Sequence, residues 1–107
     1  MEHELLFTNP AFNEDINVTV RRGTKWVEKS KIGDNLNIKE TGKDESIAKG
    51  RILDLDTFKA NEIPEIYLGL EHDPSCRDIT GLLNELRRVY PGFKDDETVT
   101  VIMFMIS

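Results

Sequence analysis

Thr19 and Arg21 stand two residues apart in the alternating stretch Ile16-Asn17-Val18-Thr19-Val20-Arg21. A strand formed there puts both on one face. A hydroxyl and a guanidinium so placed can hold a phosphate or a planar base bearing a carbonyl, because arginine offers paired donors. The alternative is a polar strand face in water. Just past Gly23, Lys25 and Trp26 set a cation beside an indole, the kind of pair that stacks on a base while contacting phosphate. A lone tryptophan in a small domain is more often a core or lid residue. Arg22 belongs to the same basic run: from Arg21 to Lys31 there are five basic residues against the single acid Glu28. This island is either a solvated basic loop or a site for a phosphate or nucleotide.

The second chemistry-bearing group is Glu71-His72-Asp73, followed by Cys76. All four residue types ligate zinc, but adjacent residues do not converge on one ion and no second His or Cys pair accompanies them. No metal is therefore expected, and no cofactor. Cys76 has no base near it in sequence except His72 and no helix N-terminus directly behind it, which argues against a catalytic thiol. Glu71 carries more promise. In a cleft with Arg21 it would accept hydrogen bonds from the amino edge of a base or act as a general base; its structural alternative is an ion pair.

The elements that must position these groups follow from periodicity. Leu5 to Phe7 is a short apolar run stopped by Thr8-Asn9-Pro10. Lys29 to Asp34 reads as a polar connection, Leu36 to Lys39 as a short strand, and Thr41 to Glu45 as a hairpin turn. A longer strand, Ser46 to Asp56, is expected to break near Gly50, and a short helix is expected between Asn61 and Gly69 with Pro64 in its first turn. Asp78 to Tyr90 is the clearest helix: Ile79, Leu82, Leu83, Leu86, Val89 and Tyr90 form one stripe, Asp78 is the N-cap, and Pro91-Gly92 is the exit. Thr98 to Ile106 is apolar on both faces and should lie in the centre of the protein, covered on both sides. The order predicts an α+β fold, a small curved sheet or partly closed barrel with a short helix and one longer amphipathic helix.

Composition bounds the function. The 107 residues carry 14 basic and 20 acidic side chains, a net charge of −6, with 38% apolar residues and one cysteine. One domain covering residues 1–107 is expected. No run reaches the roughly 18 apolar residues that span a bilayer, and the acidic start MEHELLF lacks the basic region of a secretory signal. The chain is accordingly read as cytoplasmic, with no membrane partner. Duplex DNA is not expected as a ligand, because most of the surface would repel phosphate.

The strand Asn17-Val18-Thr19-Val20-Arg21, the pair Gly33-Asp34, Glu71 ahead of a helix, the helix end Tyr90-Pro91-Gly92 and the closing hydrophobic strand come in a telling order. From Leu5 to the C-terminus they resemble the ASCH domain, a small β-barrel of the PUA-like superfamily. The resemblance implies a cleft beside the barrel, lined by the polar face of the Thr19 strand and by the acidic residue before the helix. It also implies RNA or nucleotide recognition. One branch of that family hydrolyses an acyl-amide on modified cytidine nucleosides with a lysine, a threonine and a glutamate. Thr19 matches the threonine and Glu71 is the candidate glutamate, but the lysine, three residues before the threonine, is Ile16 here. Isoleucine carries no proton, and Lys25 is the candidate replacement.

The leading expectation is an ASCH-like barrel that binds a nucleotide or single-stranded RNA in a basic cleft built from Thr19, Arg21, Arg22, Lys25, Trp26 and Glu71. An amidohydrolase acting on an N-acylated nucleoside, with Thr19, Glu71 and Lys25 as its catalytic groups, is the alternative. A third reading is a regulatory domain whose acidic surface meets a basic protein partner.

Overall fold

The computed structural model describes residues 1–107. Its strands are β1 (Glu2–Phe7), β2 (Ile16–Arg22), β3 (Asn35–Glu40), β4 (Ser46–Lys59) and β5 (Thr98–Ile106). They form one sheet in the order β1-β3-β4-β5-β2, with β1 parallel to β3 and every other pair antiparallel. The helices are α1 (Lys25–Lys29), α2 (Glu65–Leu68) and α3 (Ile79–Val89), with 3-10 turns at Ala60–Glu62 and Pro74–Cys76. This is the α+β arrangement that the periodicity predicts. No helix is long and apolar enough to cross a membrane.

β5 explains the layering. Its alternation sends Val99 and Val101 to one face and Ile102 and Phe104 to the other, and all four are buried. The first pair joins Val18, Val20 and the leucines of α3, Leu82, Leu83 and Leu86, in one core. The second joins Leu5, Phe7, Leu36, Ile38 and Ile52 in another. α3 is fixed at its start by Asp78, whose carboxylate accepts from the Gly81 N–H at 2.7 Å.

Three local expectations change. β4 runs unbroken through Gly50, where a Cβ would meet the Met105 carbonyl oxygen at 2.7 Å; the glycine permits close strand approach rather than a break. The irregularity in its pairing with β5 lies between Ile52 and Asp54. Lys25 to Lys29 coils into the one-turn helix α1, with Trp26 packed against the Leu5–Phe104 core. The short helix expected between Asn61 and Gly69 divides into a 3-10 turn and α2, with Pro64 just ahead of α2.

The barrel does not close. β1 and β2 are the two outer strands of the sheet and do not pair with each other. The free edge of β2 is taken instead by the segment Leu70 to His72: the Val18 N–H donates to the Leu70 carbonyl at 2.8 Å, and the His72 N–H donates to the Val18 carbonyl at 2.9 Å. Val18 thus finds its outer-edge partners in this segment and not in β1. What remains between the two edges is a side-chain seam, in which Phe7 of β1 meets the His72 ring edge-on at 4.7 Å.

Candidate functional site

A cavity of about 220 Å³ opens at this seam. β2 contributes Thr19 and Arg21, the Leu70–His72 segment contributes Glu71 and His72, and α3 supplies an apolar wall that includes Leu86 and Val89. The β2 alternation that buries Val18 and Val20 under α3 turns Thr19 and Arg21 to the opposite side. The bridge to Val18 brings Glu71 alongside them.

Arg21 is half-buried and lies over Phe7 of β1, with Cζ 4.7 Å from the centre of the ring. Its Nε donates to Thr19 Oγ1 at 3.2 Å, while its two terminal nitrogens make no hydrogen bond inside the protein. Burial lowers its pKa, opposed by Tyr90 and Glu71, yet a guanidinium stays charged at any physiological pH.

Glu71 is 3% exposed and His72 8%. Burial pushes the Glu71 carboxyl up to about 8, against the opposing influence of the Asp73 N–H and Arg21. Burial moves His72 the other way, lowering its pKa. The two touch, with Glu71 Oε1 3.2 Å from His72 Nε2. Both shifts favour the uncharged forms of the two groups. Oε1 also lies 3.5 Å from the Asp73 N–H, and Oε2 makes no hydrogen bond within the protein.

Asp73 stays ionised. Burial alone would raise it, but hydrogen bonds from the Ser75 N–H and hydroxyl and from Asn9 hold it below its usual value. Cys76, also on the cavity wall, is pushed up to about 12 by burial and then by Glu71, which leaves it a thiol with no nucleophilic role at neutral pH. Glu85 completes the polar lining from α3 and is bound to Arg88 on the same helix.

The sequence-derived cleft therefore separates into parts. Thr19, Arg21 and Glu71 line one cavity; Arg22, Lys25 and Trp26 do not. Arg22 follows Arg21 on the strand and so faces the other way, where it pairs with Glu97 at 2.7 Å beside Tyr90 and Phe93. Lys25 is exposed at the start of α1. Trp26 is half-buried beneath Lys29 Nζ, 4.0 Å from its ring centre, with its edge toward His3. Lys29 and Lys31 border a separate surface depression with Glu28 and Asp34. The basic island of the linear sequence is thus spread over several surfaces. The cavity itself carries one arginine and three carboxyl groups, Glu71, Asp73 and Glu85, so it is not a basic cleft. His72 and the α3 wall are the members that the linear reading did not assign to the site. Adjacency of His72 to Glu71 was the one available signal.

Among solved structures, the ASCH domain from Lactobacillus crispatus JV V101 matches with a TM-score of 0.67 at 11% identity, over 84% of this chain and 63% of that one. The fold is ASCH-like. A protein of Enterococcus faecalis V583 described as DUF984 matches with a TM-score of 0.59 at 17% identity, over 85% of this chain and 60% of that one. At these identities the likeness to the ASCH-like structures is one of fold, and the chain spans about three fifths of their length. No family model matches the sequence, and no curated protein does.

Proposed function

We propose that the chain binds one nucleobase, carried by a nucleoside or by an unpaired nucleotide of RNA, with the base inside the seam cavity. The observation that carries this is that Arg21 and Glu71 line one cavity, that the terminal nitrogens of Arg21 and Oε2 of Glu71 make no hydrogen bond within the protein, and that no ion pair joins the two residues. Arg21 offers N–H donors to a ring carbonyl, and Glu71 offers a complementary oxygen to an amino edge. The α3 side supplies an apolar wall for the face of the base. Size limits the occupant, since about 220 Å³ falls below the roughly 300–1,000 Å³ of pockets that enclose drug-sized molecules. Charge limits it further. With Asp73 ionised on the rim of the site, a phosphate is better placed outside the cavity than in it. The ASCH-like fold supports the same reading, through the resemblance to a family associated with RNA and nucleotide recognition.

Hydrolysis of an N-acylated nucleoside is a second reading, favoured by Thr19 and Glu71 lining one cavity. No lysine lines it, and Thr19 Oγ1 is engaged by an arginine that cannot take up a proton. Binding without turnover is the reading these contacts favour.

Calorimetric titration with cytidine, uridine, adenosine and a short single-stranded RNA tests the proposal. Saturable binding that weakens about tenfold or more in Arg21→Ala is expected, the loss of a charged hydrogen bond. No heat at millimolar nucleoside or RNA sinks it, and release of cytidine from an N-acylated cytidine would promote the second reading.

A further inference from the structure

Two backbone hydrogen bonds, one at each end of β2, fix which of its residues face β5. The Gly23 N–H donates to the Thr98 carbonyl at 2.9 Å, and the Ile106 N–H donates to the Asp15 carbonyl at 3.3 Å. Both lie in the antiparallel register of β2 with β5, so by alternation Asn17, Thr19 and Arg21 also turn their backbone groups toward β5. The residues between them turn N–H and C=O outward. Val18 shows this directly, since both of its groups are taken by the Leu70–His72 segment. Val20 is the next outward residue, and no bridge covers it. None of the backbone hydrogen bonds outside the strand ladders and helices involves it. A main-chain donor and acceptor therefore leave Val20 side by side, at the edge of the seam whose cavity Val20 lines.

We propose that this free edge of Val20 reads the Watson–Crick edge of the bound base, its N–H donating to an acceptor there and its C=O accepting from the neighbouring N–H, so that only an unpaired base is bound. This rests on the nucleobase-binding reading for its ligand. Every standard base carries an adjacent donor and acceptor on that edge: a ring nitrogen beside an amino group in cytosine and adenine, a ring N–H beside a carbonyl in uracil and guanine. A base held in this way continues the plane of the sheet. The Val20 side chain packs with the leucines of α3, so α3 lies against one face of the base. Arg21 follows Val20 on the strand and Glu71 is bridged to Val18, which places both beside the same edge. In a duplex the opposite strand already holds the donor and acceptor, and a paired base has nothing to offer Val20. An extended peptide needs a longer edge, because strand addition draws its affinity from a run of main-chain bonds. Beyond the Val18 bridge only Val20 and Arg22 of β2 face outward.

NMR and calorimetry on the full chain test the inference. Without ligand, the Val20 amide should exchange with solvent about tenfold or more faster than those of Val18 and Thr19; equal protection overturns the inference, since the edge is then already paired. With cytidine, uridine or adenosine bound, the Val20 amide proton should move downfield and its exchange should slow. Three analogues alter the Watson–Crick edge alone: 3-deazacytidine, 3-methyluridine and 1-deazaadenosine. Each should bind about tenfold or more weaker than its parent, while 5-methyluridine, changed away from that edge, stays within about threefold of uridine. The 3-deazacytidine comparison isolates Val20, because that analogue keeps the carbonyl and amino groups offered to Arg21 and Glu71. Nucleoside binding that leaves the Val20 amide unmoved, or that tolerates the altered edge, overturns the inference and leaves the nucleobase-binding reading standing. No binding of any nucleoside or of single-stranded RNA at millimolar concentration overturns both.

Discussion

Glu71 forms a parallel β-bridge with Val18, the residue next to Thr19. That bridge is the structural origin of the site. It occupies the outer edge of β2 at Val18 with three residues of loop instead of a strand, and the sheet stays open there. The cavity, the neutral acid inside it and its alignment with Arg21 all follow from this substitution of a short bridge for a paired strand.

Only one cation of the basic run should matter for ligand binding. Arg21 lines the cavity, whereas Lys25 is exposed on α1 and Arg22 is committed to Glu97. Nucleoside affinity measured by calorimetry should fall about tenfold or more in Arg21→Ala and stay within twofold or so in Lys25→Ala, since a charge outside the site adds only screened attraction. Equal losses from the two variants would restore the basic-cleft view.

Thr19 is expected to act through Arg21. Its Oγ1 accepts from Arg21 Nε at 3.2 Å and so helps hold the guanidinium over Phe7. Thr19→Val keeps the shape and removes the acceptor. The predicted result is a severalfold weaker nucleoside Kd with a cost to folding of about 1 kcal/mol, the net value of one hydrogen bond. Chemical denaturation read beside calorimetry separates the two effects, and unchanged affinity would assign Thr19 a packing role.

What could be read from the linear chain was whatever rested on period. α3 and β5 announce themselves through a helical stripe and a two-faced apolar run, and both lie where expected, α3 capped by Asp78 and β5 buried on each side. The site was legible only in part. Thr19 and Arg21 share a face because of strand geometry, but their meeting with Glu71 depends on a bridge between residues more than fifty positions apart, which no local pattern encodes. The basic island misled for the same reason. Charges adjacent in sequence diverged, because β2 alternates Arg21 and Arg22 across the sheet and α1 carries Lys25 onto an outer surface. Gly50 misled through ambiguity, since glycine marks either a break or a close approach, and the Met105 carbonyl decides which.

Gly81 should be intolerant of alanine despite sitting in a helix. Alanine is the better helix former by about 1 kcal/mol, which on propensity alone would stabilise α3. A Cβ there would stand 1.9 Å from the Ser75 carbonyl oxygen and 3.1 Å from the Ser75 carbonyl carbon, both backbone atoms. Relief requires α3 to move away from the turn that carries Asp73 and Cys76. The clash outweighs the propensity gain, and Gly81→Ala should lower stability by about 2 kcal/mol or more, comparable to overpacking a core. Urea denaturation midpoints of the two proteins check this; an increase would show that the turn yields easily.

Glu71 should make the fold less stable as pH rises, the reverse of an ion-paired carboxylate. Its folded-state pKa of about 8 lies above the ordinary 4.5. Between those values the unfolded chain has given up the proton and the folded chain still holds it, so the folded state binds more protons and stability declines with increasing pH. The penalty is absent below the unfolded value, grows through the interval and levels off above about 8. At pH 7 it amounts to about 3 kcal/mol, from 1.36 kcal/mol per unit of pKa difference. Glu71→Gln removes the ionisation at nearly constant shape and keeps one acceptor oxygen. The variant should therefore be more stable than the parent at pH 7, with the gap closing as pH falls toward 4.5. Nucleoside binding should survive at pH 7, because the amide retains a carbonyl oxygen to accept from an amino edge. Denaturant midpoints for both proteins across pH 4 to 9 provide the check. Parallel stability curves would mean that Glu71 is already ionised in the native protein at neutral pH.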